Sequence, residues 1–362
     1  METASSSSTF AMREGPEPVL TSRRVDHPAG PGAGRDNVPG MTRWGILATG
    51  HIATCFADDL RLVPDAELVA VGSRTRESAE TFARRHDVPR AYASWAELAA
   101  DPDLDAIYVA TPHAAHHEAA LACLAGGKAV LVEKPCTLDL PTTTELVETA
   151  RARGLFLMEA MWMRTNPLIL RVLELISDGA IGEVTHVRAD FGVAGPFPPE
   201  HRMRNPALGG GALLDLGVYP LSLAHLVLGA PQHVRAWARL SPEAVDENTD
   251  IVLGWDSGAV ATLSCGMVGA TAITASITGT TGRIELPEPF FRPGSAVLHR
   301  LDAEPETIPA DMTGGGYQYE AIEVQRCLAA GLTESPLVPH AATLEVMTLI
   351  DDIKARIGVS YV

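Results

Sequence analysis

The chain has 362 residues, a length that suggests two domains, and its 46% hydrophobic and 20% charged residues are typical of a globular protein. Its 28 Lys and Arg stand against 45 Asp and Glu, and the net charge of −17 argues against nucleic acid or an anionic membrane as the main partner, because both need a basic surface. No uninterrupted apolar run reaches the ~18 residues of a membrane span.

Residues 1–40 are predicted to be a disordered tail. They contain the run Ser5–Ser8 and a Gly/Pro-rich stretch around Pro28–Gly34, without sustained apolar periodicity or the apolar segment of a secretory signal. Met41 stands immediately before the first predicted strand, so a start-site extension is an open alternative for these residues.

From Trp44 onward, short apolar runs alternate with amphipathic stretches. The predicted strands are Trp44–Leu47, Glu67–Gly72, Ala106–Val109, Ala129–Val132 and Leu155–Met158. The predicted helices are His51–Leu62, Glu77–His86, Trp95–Ala99, Ala114–Ala125 and Leu140–Arg153. Such alternation predicts a parallel, doubly wound sheet joined by right-handed crossovers, which is a Rossmann domain over residues 41–160.

Beyond residue 160 the pattern changes, and from Gln232 to Glu285 β-rich stretches follow one another without intervening helices. Glu183–Phe191, Ile251–Trp255, Ala259–Ser264 and Ile273–Thr278 read as strands, and Leu213–Leu228, Gln318–Ala330 and Ala342–Ile357 read as helices. This pattern predicts an α+β domain over residues 161–362 with an open, largely antiparallel sheet. We expect this domain to bind substrate and to offer a broad face for oligomerisation.

The turn after the first strand resembles the G-x-G-x-x-G/A fingerprint of dinucleotide-binding proteins, with Ala48 in place of the first glycine. At Gly50 the backbone would approach a pyrophosphate, and Ala53 would allow close packing of helix and strand. The predicted cofactor contacts are Ala48, Thr49, Gly50, His51 and Ile52. A merely tight strand–helix turn is the alternative interpretation.

The end of the second strand indicates the type of cofactor. An enzyme that uses NAD would place an acidic residue here to bind the ribose 2′-hydroxyl, but this chain has Ser73 and Arg74 and no acid before Glu77. Because a 2′-phosphate needs a guanidinium and hydroxyl donors, the sequence predicts NADP. The alternative is a solvated arginine at the start of a helix.

A third segment, Thr111-Pro112-His113, follows the strand that ends at Val109, and His116 stands one turn later. Thr111 and Pro112 can line the binding site of the nicotinamide ribose. The two histidines have a helical spacing that suits a metal, but no carboxylate or thiol nearby completes a ligand set, so we expect them to line the cofactor or substrate pocket. The 5 cysteines lack C-x-x-C spacing and predict reduced thiols in a cytoplasmic protein.

The strand Ala129–Val132 ends abruptly in Glu133, Lys134 and Pro135. A buried parallel strand brings its last residues to the carboxyl edge of the sheet, where ligands of such sheets bind. Pro135 disfavours helical geometry at Lys134, which predicts an extended or turn conformation for the lysine. A solvated lysine that closes a strand is the alternative.

Several motifs together resemble one family. They are Gly45–Ala53, Ala110-Thr111-Pro112, Glu133-Lys134-Pro135 and Gly209–Tyr219. In this order and spacing they resemble the Gfo/Idh/MocA oxidoreductases over residues 41–362. Leu157–Arg164 and Tyr317–Glu320 are similar more narrowly to the branch of trans-1,2-dihydrobenzene-1,2-diol dehydrogenases and NADP-dependent D-xylose 1-dehydrogenases.

The resemblance implies a role for several residues. Lys134 matches the catalytic lysine of the family, Tyr219 a tyrosine implicated as acid or base, and Asp215 the carboxylate that binds or orients substrate. The positions that would line the nicotinamide and substrate cleft are Trp162, Arg164 and Phe191, and the motif also brings Glu133 to the cofactor. Tyrosine and lysine both titrate near pH ~10 unperturbed, so one of them must be shifted to act at neutral pH.

The resulting prediction is an NADP-dependent oxidoreductase that transfers hydride between the nicotinamide and a hydroxyl of a sugar or cyclic diol, or the corresponding carbonyl, with Lys134 and Tyr219 as the acid/base pair. A 3-ketosugar reductase or inositol dehydrogenase on the same scaffold is one alternative. A catalytically silent NADP-binding regulator is another. The resemblance also implies a homodimer or a higher homo-oligomer.

Overall fold

The structure, a computed structural model, describes residues 40–361. The predicted disordered tail therefore lies outside the described residues, apart from Gly40. The described part is built on two sheets, one of six strands and one of eight.

The first sheet is entirely parallel. Its strands are β1 (Thr42–Leu47), β2 (Ala66–Gly72), β3 (Arg90–Tyr92), β4 (Ala106–Val109), β5 (Ala129–Glu133) and β6 (Leu157–Ala160). Their order β3-β2-β1-β4-β5-β6 is that of a doubly wound dinucleotide-binding fold, as predicted. Every residue of β4, β5 and β6 is buried, because helices cover both faces of the sheet.

The helices of this half are α1 (His51–Leu60), α2 (Arg76–His86), α3 (Trp95–Ala99), α4 (His116–Ala125) and α5 (Leu140–Arg153). Side-chain caps explain several of their starts: Thr75 accepts the N–H of Ser78 and Asp139 accepts that of Thr142. Gly154 ends α5 in the left-handed conformation, directly after the predicted last residue Arg153.

The second sheet is mixed and mostly antiparallel. Its strands are β7 (Val184–Gly192), β8 (His233–Leu240), β9 (Asp246–Gly254), β10 (Val260–Gly266), β11 (Ala275–Gly279), β12 (Gly282–Leu286), β13 (Ser295–Arg300) and β14 (Glu306–Pro309). Their order is β14-β13-β12-β11-β7-β10-β9-β8. The pair β7 and β10 is parallel, which the sequence did not indicate.

Four further helices complete the described chain: α6 (Pro167–Ser177), α7 (Val218–Leu228), α8 (Gln318–Ala329) and α9 (His340–Ile357). The predicted helix Leu213–Leu228 divides into a π-helical turn, Leu213–Gly217, and α7. By length and composition the stretch Pro206–Leu228 could cross a membrane. Its most apolar segment is 83% buried within the protein, as in a core helix.

The C-terminal part of the chain contributes to the core beneath the first sheet. Ala321, Val324 and Cys327 of α8 pack in one apolar cluster with Phe56 and Tyr108 of the Rossmann half. The division of the chain at residues 160 and 161 stays a prediction. In the structure, the chain returns to the first core after it has built the second sheet.

Candidate active site

A cleft of about 640 Å³ lies at the carboxyl edge of the first sheet. The segments that follow β1, β2, β4 and β5 line it, and the π-helical turn contributes from the second half of the chain. It brings together most of the residues predicted from the sequence, namely Ala48, Thr49, Gly50, His51, Ile52, Ser73, Arg74, Thr111, Pro112, His113, His116, Glu133, Lys134 and Asp215.

The part of the cleft next to β1 fits the phosphates of a dinucleotide. Gly50 is the N-cap of α1 and provides no side-chain cap, so the first amides of this helix are available to an anion. A Cβ built on Gly50 would meet no atom within 4 Å, which leaves the backbone open to close approach. Arg74 is exposed and forms no ion pair with the rest of residues 40–361. The buried hydroxyl of Thr111 also lacks a hydrogen-bond partner among these residues.

Lys134 is held by Asp215 across the cleft. Its Nζ donates to the Asp215 carbonyl oxygen at 2.8 Å and to Oδ1 of the same residue at 3.0 Å. Nη2 of Arg202 lies 2.9 Å from Oδ2, and Nε2 of His113 lies 3.6 Å from Oδ1. Burial opposes ionisation of Asp215, but Lys134, His113 and Arg202 together hold its pKa well below the ordinary value.

The two predicted histidines lie at the cleft wall. Burial lowers the pKa of His113 to about 3 and that of His116 to about 4. Nδ1 of His113 lies 3.2 Å from the Gly209 carbonyl oxygen. The His116 ring lies between the carbonyl oxygens of Thr111 and Pro135, each 2.9 Å from a ring nitrogen, and so links the ends of β4 and β5.

Tyr219 is the second residue of the helix α7, which directly follows the π-helical turn that carries Asp215. Its ring centroid lies 5.0 Å from Nζ of Lys134, while its hydroxyl oxygen accepts a hydrogen bond from Nε1 of Trp162 at 2.8 Å. The lysine therefore faces the aromatic ring and not the hydroxyl. Burial raises the pKa of Tyr219 well above its ordinary value, so the phenol is protonated at neutral pH.

An aromatic cluster packs around Tyr219. Phe291 lies 4.7 Å from Tyr219 and 4.8 Å from Phe191, measured between ring centroids, and Tyr317 stacks on Trp162 at 4.4 Å. Trp162, Phe191 and Tyr219 were predicted as substrate contacts, and the structure places all three in this cluster, which meets the cleft where the Tyr219 ring contacts Lys134. Phe291 joins the cluster from a segment about 70 residues further along the chain, so no local pattern identifies it.

Arg164 requires a correction. The family resemblance implied that Arg164 lines the cleft, but its side chain is buried and its Nη2 lies 3.0 Å from Nδ1 of His225. The other ring nitrogen of His225 contacts Glu345 of α9 at 2.6 Å. Arg164 is therefore part of a buried polar network that joins the Trp162 segment to α7 and α9, and it does not line the cleft.

Arg202 was not among the predicted site residues. It belongs to the loop between β7 and the π-helical turn, and its side chain is about half exposed at the mouth of the cleft. The sequence holds no signal for its role, because its contact with Asp215 depends on how this loop folds back over the first sheet.

Comparison with known proteins adds two family matches. Residues 42–161 match the model described as the NAD-binding Rossmann fold of an oxidoreductase family (GFO/IDH/MocA), and residues 169–285 match the GFO/IDH/MocA C-terminal domain. The trans-1,2-dihydrobenzene-1,2-diol dehydrogenase of Bos taurus is 36% identical over 88% of this chain and 98% of its own length. The enzyme of that name from Xenopus laevis is 38% identical over 88% and 99%.

Solved structures show similar folds. A 3-ketoreductase from Actinomadura kijaniata, in complex with NADP and TDP-benzene, superposes with a TM-score of 0.79 and 29% identity, covering 88% of this chain and 98% of that one. An aldose-aldose oxidoreductase from Caulobacter crescentus, complexed with glycerol, has a TM-score of 0.80 at 23% identity over 87% and 97%. The second match is evidence of fold alone.

Proposed function

Because this chain belongs to the Gfo/Idh/MocA family of oxidoreductases, we propose that it uses NADP to transfer hydride to or from the carbinol carbon of a sugar or cyclic diol. One observation carries this proposal. The dinucleotide turn, Arg74 and the Lys134–Asp215 pair meet in a single cleft at the carboxyl edge of the Rossmann sheet.

In this proposal the cofactor occupies the β1 side of the cleft. The amides at the start of α1 bind the pyrophosphate, and Ser73 and Arg74 bind a 2′-phosphate. Thr111 and Pro112 line the nicotinamide ribose. The chemistry that the bound cofactor supplies is donation or acceptance of hydride at the nicotinamide.

Tyr219 and Lys134 act in proton transfer to and from the substrate oxygen. The Tyr219 oxygen accepts a hydrogen bond from Trp162, so its own hydrogen is free to pass to the carbonyl oxygen of a substrate during reduction. The Lys134 ammonium beside the ring and the N–H of Trp162 stabilise the phenolate that results. Oxidation runs the same transfer in reverse and begins from the phenolate form of Tyr219, which high pH favours. Asp215 fixes Lys134 and orients the substrate.

Fluorescence of NADPH on binding, followed by turnover with pentoses, hexoses, inositols and a dihydrodiol, tests this function. We expect Lys134→Ala and Tyr219→Phe each to lower kcat by roughly 10²-fold or more, the scale of general acid–base catalysis, while NADPH binding changes little. Near wild-type turnover in both variants on a confirmed substrate would refute the acid/base pair.

The choice of NADP depends on Arg74. Arg74→Asp replaces the phosphate-binding guanidinium with a carboxylate that suits a free 2′-hydroxyl, so the preference for NADP over NAD should fall by roughly 10²-fold or more. Arg85→Asp, an identical exchange at an exposed position at the far end of α2, should leave the preference unchanged. An unaltered preference in Arg74→Asp would contradict the proposed phosphate contact.

Reduction of a 3-ketosugar is the second candidate. The similar structure of a 3-ketoreductase bound to NADP favours it. The two candidates use the same cofactor and the same proton donor, and they differ in the substrate that turns over. Tight NADPH binding without turnover in either direction would instead favour the regulator.

A further inference from the structure

Glu320 is a buried carboxyl group without a partner. It stands in the first turn of α8 and is 0% exposed, and neither of its carboxylate oxygens has a hydrogen-bond partner within residues 40–361. The adjacent residues Ala321 and Val324 pack in the apolar core beneath the first sheet. Because an unpaired carboxylate in such a core is far more costly than a neutral carboxylic acid, the protonated form is favoured here.

A second buried carboxyl group, Glu133, is close enough for its charge to act on Glu320. Its Oε1 accepts a hydrogen bond from the Tyr108 hydroxyl, and its Oε2 accepts the backbone N–H of Lys134 at 3.1 Å. Burial raises the pKa of Glu133 to about 7, and burial together with the charge of Glu133 raises the pKa of Glu320 well above its ordinary value. Two interacting acids lose their protons in separate steps, so between those steps the pair holds one proton.

The groups around the two acids do not favour a second negative charge. They come from α1, β4, β5, the π-helical turn, α7 and the segment before α8, and they are Cys55, Asp59, Tyr108, Lys134, Asp215, Tyr219 and Tyr317. Of these groups only Lys134 is a cation, and Asp215 already binds it. Asp59 adds a negative charge on the α1 side, where it accepts the backbone N–H groups of Gly315 and Tyr317.

We propose that Glu320 retains a proton within a buried acid pair with Glu133, so that the pair carries at most one negative charge beside Lys134 at neutral pH, and that this arrangement sets the alkaline limit of proton donation by Tyr219. Glu320 touches neither substrate nor cofactor and is a positioning residue that acts through charge. When its proton leaves to solvent at high pH, the added negative charge opposes formation of the Tyr219 phenolate. The catalytic half of this inference rests on the proposed function.

The pH dependence of stability tests proton retention without any substrate. A group whose pKa is raised on folding contributes stability that is present at low pH and is lost as the pH rises toward the folded value. Glu320→Gln removes this loss, so its Tm relative to wild type should rise by about 2 °C per pH unit between roughly pH 6 and pH 9. The cost of burying the amide in Glu320→Gln does not change with pH. The quantity to measure is therefore the slope of the Tm difference against pH.

Glu323 on the same helix provides a matched control. Although burial opposes its ionisation, hydrogen bonds from Arg326 and Ser335 hold the pKa of Glu323 below the ordinary value. Its carboxylate is ionised in both the folded and the unfolded chain over this pH range. Glu323→Gln should therefore lower Tm by an amount that does not change between roughly pH 6 and pH 9.

The outcomes are distinct. A flat or falling slope for Glu320→Gln would overturn proton retention, and Glu320→Met, an apolar side chain of similar length, should reproduce the rising slope if the amide is not tolerated. In carbonyl reduction, the alkaline limb of the kcat profile should move up by about one pH unit in Glu320→Gln but not in Glu323→Gln. If the alkaline limbs of Glu320→Gln and wild type coincide, Glu320 does not influence proton donation by Tyr219. Absence of turnover in wild type would contradict the proposed function, while the slopes would still decide proton retention.

Discussion

Ala48 has a backbone conformation that disfavours any residue with a Cβ. Its φ of +100° lies in the left-handed region, at the point where β1 turns into the dinucleotide loop. Such a conformation costs an L-residue roughly 1–2 kcal/mol, and glycine avoids that cost. We therefore expect Ala48→Gly to raise the free energy of unfolding by about 1 kcal/mol, measured by urea denaturation.

A second alanine-to-glycine exchange provides the comparison. Ala57 lies inside α1, where the lost methyl group and the added backbone entropy of glycine should lower the free energy of unfolding by about 1 kcal/mol or more. Opposite signs in Ala48→Gly and Ala57→Gly would support strain at the turn. A loss of stability in both variants would show that Ala48 is not strained.

Individual site residues differ in how far the sequence predicts them. Lys134 and Arg74 could be placed because Lys134 directly follows β5 and Arg74 lies two residues after β2, and parallel strands bring such residues to one edge. The direction of a side chain needs tertiary contacts. The Tyr219 hydroxyl is hydrogen-bonded to Trp162 and not to Lys134, and the Arg164 side chain contacts His225 and not the cleft.

At the scale of the element, the π-helical turn Leu213–Gly217 presents Asp215 to Lys134. Gly217 packs this turn against β10, and a Cβ at Gly217 would lie 2.9 Å from Sγ of Cys265 and 3.1 Å from Cδ1 of Leu213. Overpacking of this kind costs roughly 1–3 kcal/mol, so Gly217→Ala should lower the free energy of unfolding by that amount in chemical denaturation.

A double-mutant cycle identifies the contact responsible. Cys265→Ala removes the sulfur atom that the new methyl group would meet, so Gly217→Ala should cost less in that background than in wild type, by about 1 kcal/mol. An equal cost in both backgrounds would place the strain elsewhere, for example in the backbone of the turn.

Most elements with a strong local signal were predicted, but one helix with such a signal was missed. The strand β4 and the helices α3 and α5 have the predicted bounds, because continuous apolar runs, caps and a terminal glycine mark them. The edge strand β3 has three half-buried residues and no apolar run. The helix α6 was missed although Asn166 caps it and Pro167 opens it, a start signal that the sequence does contain.

At the scale of the whole molecule, two elements from distant parts of the chain complete the site region. The helix α8 packs into the core of the Rossmann half and carries the buried Glu320. The parallel pair β7 and β10 sets the second sheet behind the π-helical turn. Both depend on pairings across many residues, and periodicity reports only local structure, so neither followed from the sequence.

The outer face of the second sheet is the surface through which we propose that the protein forms a homodimer. Helices α7 and α9 pack on the opposite face, while Trp237 on β8 is 81% exposed among charged side chains of both signs, including Arg188, Arg235, Asp190 and Asp250. Mixed charge around a large aromatic residue suits a twofold contact, in which each positive group can meet a negative one.

Trp237→Glu tests this dimer. It places a carboxylate where the aromatic anchor would be buried, so we expect the mass in light scattering to fall from that of a dimer to that of a monomer, with the thermal unfolding of the monomer retained. Leu301→Glu is the matched control, because Leu301 is 75% exposed in the turn between β13 and β14, away from this face, and should leave the mass unchanged. An unchanged mass in Trp237→Glu would contradict the proposed interface, and a monomeric wild type would contradict the dimer itself.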